Sequence, residues 1–245
     1  MVKYIIKGVT GFIGSSLAKE LLKKNIVIGI GRNQDKLNEL FKNAKNFIPI
    51  HYSQIDNYTK YLNNVSVFFD ASWNGYPKLS NDFNTQFNNI YEIYSSVLLA
   101  GKINCGKYIF FNSSATIEKS KKNNEYCSVY GAAKSSAERI ARIICNENNI
   151  NYNSIISPNV YGVYDYSRRS TNILINNLIN NQPLNLTNGT DLYDWLYIED
   201  AIQGLISVAK CGINNKEYYL KRTDLIEDKI YQWKSYYNIA TTGIE

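Results

Sequence analysis

The feature that most constrains this chain is a set of three glycines between an apolar run and a helical one. Gly8, Gly11 and Gly14 form the pattern GxxGxxG in "KGVTGFIG", directly after "KYII". The residues that follow, up to Lys24, have the leucine spacing of an amphipathic helix. A strand, a tight glycine turn and a helix N-terminus together present free backbone N–H groups to a phosphate. The motif predicts a dinucleotide site, although a purely structural turn has the same spacing.

Strands and helices alternate along the first part of the chain. Predicted strands span 3–9, 26–31, 46–50, 65–71, 107–114 and 151–158, and predicted helices span 11–24, 34–44, 82–101 and 129–148. Strands that are apolar on both faces are typical of a parallel sheet covered by helices on both sides. We expect an α/β fold with a Rossmann-like, doubly wound parallel sheet.

This alternation changes after Pro158. Residues 171–180 predict a helix, and residues 194–209 run from a strand into a helix. No linker separates this part as an independent domain. We expect residues 1–160 to form the dinucleotide-binding core and residues 161–245 a small substrate-binding lobe, with one or more elements returning to the core.

Composition excludes several classes of function. The chain has 245 residues, of which 44% are hydrophobic and 20% charged, as in ordinary globular proteins. Its net charge of +6 comes from scattered lysines and arginines, which suits an anionic small molecule better than a nucleic acid. Four cysteines without a CxxC pair and a single histidine argue against disulfides and against a metal site. No segment is long enough to span a membrane, so we expect a cytoplasmic protein without nucleic-acid or membrane partners.

The end of the second predicted strand bears on the choice of coenzyme. A carboxylate at this point binds the ribose of NAD, whereas an arginine accommodates the extra phosphate of NADP. Here the strand ends in Gly31, Arg32 and Asn33, with no acidic residue. Arg32 therefore favours NADP(H). NAD(H) is the alternative coenzyme, and the other alternative is that Arg32 is only a solvent-exposed loop residue.

A serine, a tyrosine and a lysine follow in an order suited to hydride transfer. Ser114 ends the fifth predicted strand, and Tyr130 and Lys134 lie four residues apart in the next helix. A free tyrosine has a pKa of about 10, and a neighbouring ammonium lowers it. The phenol can then exchange a proton with a substrate oxygen held by the serine. YxxxK is common in helices, but together with the glycine loop it predicts Ser114, Tyr130 and Lys134 as catalytic residues.

These motifs resemble the short-chain dehydrogenase/reductase superfamily, and "YGAAKSSAE" is similar to its extended, nucleotide-sugar-modifying branch of NAD(P)-dependent epimerases and dehydratases. The resemblance continues through "SPNVYG" (157–162) and "LTNGTDLYDWLYIEDA" (186–201). It implies coenzyme contacts at Gly8, Thr10, Gly11, Phe12, Ile13, Gly14, Arg32, Asn33, Ser53, Gln54, Ala71, Tyr130, Lys134, Pro158 and Val160. Ser53 and Gln54 stand where this branch has an adenine-binding aspartate. Asn159 is expected near the diphosphate of a nucleotide-sugar substrate.

The chain departs from the branch in its diphosphate contacts. Many relatives have an arginine where this chain has Tyr193, which is itself expected to contact the substrate. Arg168 and Arg169 are the predicted replacements, although a solvated arginine pair is equally compatible with the sequence. Ser114 is expected to hold the reacting oxygen of the substrate. Trp73 is expected either to form a wall of the nicotinamide or substrate pocket or simply to pack in the core.

The departures also bear on the reaction. Sugar 4,6-dehydratases have an Asp-Glu pair shortly after the catalytic serine or threonine, whereas "SSATIEKS" has only Glu118. The stretch around Tyr193 is more similar to the deoxysugar-nucleotide 4-ketoreductases of the abequose-synthase type. The resemblance thus implies NADPH-dependent reduction of a nucleotide-diphosphate 4-keto-6-deoxysugar. A 4-epimerase with tightly bound NAD is the alternative, and a non-catalytic dinucleotide-sensing module is a remote one.

The same resemblance implies a homodimer. In this branch the helices that correspond to 82–101 and 129–148 pair across a two-fold axis into a four-helix bundle. Spare apolar positions would support the pairing, since a surface helix normally has a single apolar face. The positions expected to serve are Ile93, Val97, Ile140 and Ile144.

Overall fold

The protein is described from a computed structural model. The described residues are 1–59, 62–76, 78–117, 128–165, 170–183, 195–227 and 230–235. The strands are β1 (Lys3–Lys7), β2 (Ile26–Gly31), β3 (Phe47–His51), β4 (Val67–Asp70), β5 (Lys107–Ser113), β6 (Asn151–Ser157), β7 (Asn159–Tyr161), β8 (Trp195–Tyr197), β9 (Lys216–Tyr219), β10 (Arg222–Glu227) and β11 (Ile230–Ser235). The helices are α1 (Phe12–Leu21), α2 (Gln34–Phe41), α3 (Ile55–Tyr58), α4 (Phe83–Lys102), α5 (Val129–Glu147), α6 (Ser170–Ile179) and α7 (Ile198–Cys211).

Side chains of the central strands alternate between two hydrophobic cores, one on each face of the sheet. Ile6 and Ile109 lie in the first core, together with apolar residues of α1, α2 and α7. Ile5 and Phe68 lie in the second core, together with residues of α4 and α5. Because successive side chains of a strand point to opposite faces, strands covered on both sides must be apolar throughout. The predicted doubly wound α/β fold is confirmed.

Within the described residues, seven parallel strands form one sheet in the order β3-β2-β1-β4-β5-β6-β9. The chain moves outward from β1 to β3 and then crosses back to β4, which lies on the other side of β1. In open sheets of this kind, ligands bind beyond the carboxyl ends of the strands at this reversal. Because these strands are parallel, the segments that follow β1, β2, β4 and β5 all lie at the same edge of the sheet, next to this reversal.

The second part of the chain contributes to the main sheet through β9. This strand pairs with β6, from Asn153 opposite Lys216 to Ile156 opposite Tyr219. A further tie comes from Lys107, whose ammonium donates hydrogen bonds to the carbonyls of Val208 (3.3 Å) and Gly212 (3.0 Å) at the end of α7. Two smaller pairings, β7 with β8 and β10 with β11, complete the described strands. The boundary at residue 160 between a core and a lobe stays a prediction.

Helices α4 and α5 pack side by side, but the apolar residues predicted to be spare do not form an outer surface. Ile93 and Val97 are fully buried in the second core, and Ile140 and Ile144 are half-buried. That prediction is wrong because the helix turns these α4 positions towards the sheet. The exposed apolar side chains of α4 form a different row, called here the aromatic row: Phe83, Phe87, Tyr91, Tyr94 and Leu98.

No helix in the described part of the chain is both long and apolar enough to cross a membrane.

Candidate active site

The glycine loop brings β1 and α1 into backbone contact. Gly8 has a φ of +81°, which favours glycine, and a Cβ atom there would lie 2.8 Å from the carbonyl oxygen of Ala71. A Cβ atom on Gly14 would overlap the carbonyl of Gly8. Gly11 precedes α1 and provides no side-chain cap, so the N–H groups of the first turn are left for another acceptor. This is the arrangement that binds a phosphate at a helix N-terminus.

A cavity of about 370 Å³ opens beside this loop, and we call it the glycine-loop cavity. The predicted coenzyme and substrate residues that line it are Gly8, Thr10, Gly11, Arg32, Asn33, Ala71 and Trp73. Lys36, Tyr52, Asn89 and Glu92 line it as well and were not predicted from the sequence. The cavity therefore extends from the glycine loop, past the end of β2, to the side of α4.

Four predicted coenzyme residues have other positions. Phe12 packs against the first core, and Gly14 is buried in α1, where its role is the close approach to Gly8. Ser53 lines a neighbouring cavity beside α4, and Gln54 is exposed in the turn after β3. Neither Ser53 nor Gln54 lines the glycine-loop cavity, because the side chain of the preceding Tyr52 occupies that wall.

A second cavity of about 240 Å³, the serine–tyrosine cavity, lies at the ends of β5 and β6. Predicted residues from four separate parts of the sequence line it: Ile13, Ser114, Tyr130, Pro158, Asn159 and Val160. The structure thus brings the predicted serine and tyrosine together, with the strand-end residues 158–160 opposite them. This convergence follows from the parallel order of β5 and β6, whose carboxyl ends lie side by side.

Local interactions fix the start of α5 against the end of β5. Ser128 caps the helix, and its Oγ accepts a hydrogen bond from the N–H of Gly131 at 3.0 Å. A Cβ atom on Gly131 would overlap the carbonyl of Ala115, in the 3-10 turn that begins at Ser114. A glycine in the first turn of α5 therefore lets Tyr130 approach the serine-bearing turn closely.

Aromatic rings surround Tyr130 on the side of β4. Trp73 packs edge-on against its ring, with centroids 5.9 Å apart, and the ring of Tyr76 lies 4.8 Å away. Gln86 of α4 holds Trp73 in place by accepting a hydrogen bond from the indole N–H at 3.0 Å. Trp73 packs against Tyr130 and also lines the glycine-loop cavity, and its place in a nicotinamide or substrate pocket stays a prediction. Tyr76, which lines the serine–tyrosine cavity, gave no sequence signal.

Lys134 is buried directly behind this site. Its ammonium donates a hydrogen bond to the carbonyl of Phe111 at 2.6 Å and lies 4.2 Å from the centre of the Trp73 ring. Burial lowers the pKa of Lys134 to about 7, and the negative charge of Asp70 opposes this shift. Asp70 is itself buried at the end of β4, where its carboxylate accepts a hydrogen bond from Tyr108 at 2.7 Å. Asp70 was not singled out from the sequence, although an acidic residue at the end of an apolar strand is a recognisable signal.

Several predicted positions fall outside the described residues. These are Arg168, Arg169 and Tyr193, predicted for the substrate diphosphate, and Glu118, which bears on the dehydratase comparison.

Comparison with known proteins identifies the family. Residues 4–219 match the NAD dependent epimerase/dehydratase family. Because this match covers most of the chain, the protein belongs to that family, as the sequence motifs predicted. It is therefore an enzyme of an NAD-dependent class.

Individual relatives are distant but similar over most of their length. CDP-abequose synthase from Yersinia pseudotuberculosis is 26% identical, over 84% of this chain and 73% of the relative. Protein CapI from Staphylococcus aureus is 24% identical, over 89% of this chain and 72% of the relative. Among solved structures, UDP-glucuronic acid 4-epimerase from Bacillus cereus, in complex with UDP-glucuronic acid and NAD, has a TM-score of 0.78 at 23% identity, over 91% of this chain and 78% of that one. The dTDP-glucose 4,6-dehydratase of Streptomyces venezuelae has a TM-score of 0.77 at 17% identity, over 99% of this chain and 80% of that one.

The buried lysine predicts a specific pH dependence of stability. Between pH 7 and about 10.5 the unfolded chain holds the Lys134 proton while the folded protein releases it, so the free energy of unfolding rises with pH in this window. Below pH 7 the full cost of burying the ammonium is present. Compared with Lys134→Met, the coenzyme-free wild type should gain stability with a slope approaching about 1.4 kcal/mol per pH unit.

Urea unfolding at pH 7, 8 and 9 gives the free energy of unfolding of both proteins. The difference between them isolates Lys134, because every other group titrates in both proteins and cancels. A difference that stays constant across these pH values would show that Lys134 keeps an ordinary pKa.

Proposed function

We propose that this protein reduces a nucleotide-diphosphate 4-keto-6-deoxysugar with NADPH. The observation that carries the proposal is the convergence of Ser114 and Tyr130 in one cavity, with Lys134 buried behind them. The similarity to CDP-abequose synthase favours a 4-ketoreductase within the family. The glycine loop supports dinucleotide binding, because its backbone contacts leave the first turn of α1 open to a pyrophosphate.

The residues of the site divide the chemistry between them. When bound, the coenzyme supplies a hydride for the carbonyl carbon of the sugar. Ser114 would hold the carbonyl oxygen by a hydrogen bond, and Tyr130 would donate a proton to this oxygen as negative charge develops on it. Lys134 would favour the phenolate that remains, since a nearby ammonium stabilises that form. The rings of Trp73 and Tyr76 exclude water from one side of the phenol.

A 4-epimerase is the second candidate, since the same three residues serve both reactions. The fold similarity to UDP-glucuronic acid 4-epimerase, solved with NAD, favours it. The two candidates differ in the state of the coenzyme, because an epimerase keeps tightly bound NAD, whereas a reductase consumes NADPH and exchanges it at each turnover. Mass spectrometry of dinucleotides released from the denatured protein, followed by a screen of 4-keto-sugar nucleotides for NADPH oxidation, separates them. Stoichiometric NAD and no NADPH consumption would contradict the reductase.

Replacing the phenol oxygen tests the proton donor. Tyr130→Phe should lower kcat by about 10² to 10⁴, the usual contribution of a general acid, and leave the Kd of NADPH unchanged. The matched control is Tyr164→Phe, which removes a phenol from an exposed position and should keep full activity. Near wild-type kcat in Tyr130→Phe would show that another group donates the proton.

Charge reversal at the end of β2 tests the coenzyme preference. Arg32 is exposed and lines the glycine-loop cavity together with Lys36. Arg32→Asp should shift the ratio of the Kd values for NADPH and NADH at least about ten-fold towards NADH, because a carboxylate repels the extra phosphate and accepts hydrogen bonds from ribose. Lys45→Asp, an exposed charge reversal in the turn before β3, is the control for net charge. A wild-type protein that binds NADH more tightly than NADPH would contradict this assignment.

We also propose that the protein is a homodimer formed through α4 and α5. The aromatic row supports this, since Phe83, Phe87 and Tyr91 are 74%, 71% and 63% exposed. Ile143 on the adjacent α5 is exposed as well. Exposed apolar side chains on two helices that pack together are typical of an isologous interface.

Sedimentation should give a dimer at micromolar concentration. The double variant Phe87→Glu/Tyr91→Glu should be a folded monomer, because the charges would be buried unpaired in the interface. Ile179→Glu places a charge on α6 at an equally exposed apolar position and should stay dimeric. A monomeric wild type would contradict the homodimer. A dimer that survives the double substitution would show that the interface lies elsewhere.

A further inference from the structure

The glycine-loop cavity contains a carboxylate that the reaction does not use. Glu92 comes from the first half of α4 and faces the glycine loop and Arg32 across the cavity. Its side chain is 37% exposed, so a bound molecule can reach it. A carboxylate accepts hydrogen bonds only, and it repels phosphate. The part of a dinucleotide that meets Glu92 must therefore offer a donor and carry no negative charge.

A buried ammonium fixes the position of Glu92. Lys7 ends β1 on the face that α4 covers, and it is almost fully buried. Its ammonium lies 3.0 Å from both the carboxylate and the backbone carbonyl of Glu92, and 2.7 Å from the hydroxyl of Ser96. A buried lysine with three such partners is over-determined in position, so the carboxylate is held rather than free to rotate.

Tyr52, in the turn that follows β3, holds the same carboxylate. Burial and its hydrogen bond to Glu92 raise the pKa of Tyr52, so the phenol keeps its proton and donates it to the carboxylate. Burial alone would raise the pKa of Glu92. The hydrogen bond from Tyr52 and the charge of Lys7 outweigh that effect and lower it. Glu92 is therefore an ionised acceptor with two fixed donors, and its carboxylate has further lone pairs for a ligand in the cavity that it lines.

We propose that Glu92 recognises the adenine of the coenzyme by accepting a hydrogen bond from its exocyclic amino group. This rests on the proposed dinucleotide site, in which the pyrophosphate meets the N-terminus of α1 and the ribose meets Arg32 and Asn33. The base must then occupy the remaining part of the cavity, which Tyr52 and Glu92 line. Adenine presents one amino group and no charge, which matches the carboxylate. Glu92 would thus perform the recognition for which Ser53 and Gln54 are misplaced.

Hypoxanthine analogues of the coenzymes test this assignment, because at C6 an acceptor carbonyl replaces the donor amino group and would face the carboxylate. Ring nitrogen N1 gains a hydrogen, while the ribose, phosphates and nicotinamide stay the same. The measurement is the Kd of NADH and of NADPH, each beside its hypoxanthine analogue, by fluorescence titration. The wild-type protein should bind each analogue at least ten-fold more weakly than its parent. Glu92→Gln should reduce this ratio to about three-fold or less, because its amide can also donate a hydrogen bond to the hypoxanthine carbonyl.

Two further variants keep the test decisive. Lys7→Met/Glu92→Leu removes both charges, so that no buried ion is left unpaired if Glu92→Gln fails to fold, and it should also lose the discrimination. Glu147→Gln, an exposed carboxylate at the end of α5, should retain it. Tight binding of a parent coenzyme without discrimination, or discrimination that persists in both Glu92 variants, overturns the role of Glu92. Failure of the wild type to bind either parent coenzyme overturns the dinucleotide site itself, and with it this assignment.

Discussion

The close contact between Gly14 of α1 and the carbonyl of Gly8 is the constraint on which the rest of the site depends. It sets the distance between the first helix and the first strand, and no residue with a side chain fits there. Because α1 starts at this point, its N-terminus faces the edge where the strand order reverses. The ends of β4 and β5 lie at the same edge, so the glycine loop and the serine–tyrosine pair are placed together by the sheet itself.

In the described part of the chain, buried charged side chains lie along this edge on the face that α4 and α5 cover: Lys7, Asp70 and Lys134. Lys7 has Glu92 as its partner, Asp70 has Tyr108, and Lys134 has a backbone carbonyl of β5. Apolar side chains of similar size would be at least as stable in such positions. Fixed charges at the ligand-binding edge of a sheet instead provide an electrostatic environment that is already formed before the substrate arrives. This distribution fits a reaction in which charge develops on one oxygen atom.

How far the sequence could predict this structure depends on which interactions fix each part. The central strands were predictable because burial on both faces makes them apolar throughout, whereas "KEYY" of β9 is an edge strand with no such pattern. Ser114 and Tyr130 were predictable as neighbours because parallel strand ends share an edge. The role of Tyr52 was not, since it depends on which side of a turn faces the cavity. Ile93 was misassigned because a helix of mixed polarity does not show which apolar stripe meets the sheet.

Helix α4 combines three surfaces, and this would link the proposed coenzyme site to the proposed dimer interface. One stripe, with Ile93, closes the second core, and another is the aromatic row. A third, polar stripe holds the cavity wall: Gln86 binds Trp73, Asn89 hydrogen-bonds to the backbone of Asn74, and Glu92 binds Lys7. Because these stripes share one helix, a partner that packs on the aromatic row would also restrict the side chains that line the glycine-loop cavity. The proposed dimer would then organise the proposed adenine end of this cavity before any ligand binds, which would lower the ordering cost of binding.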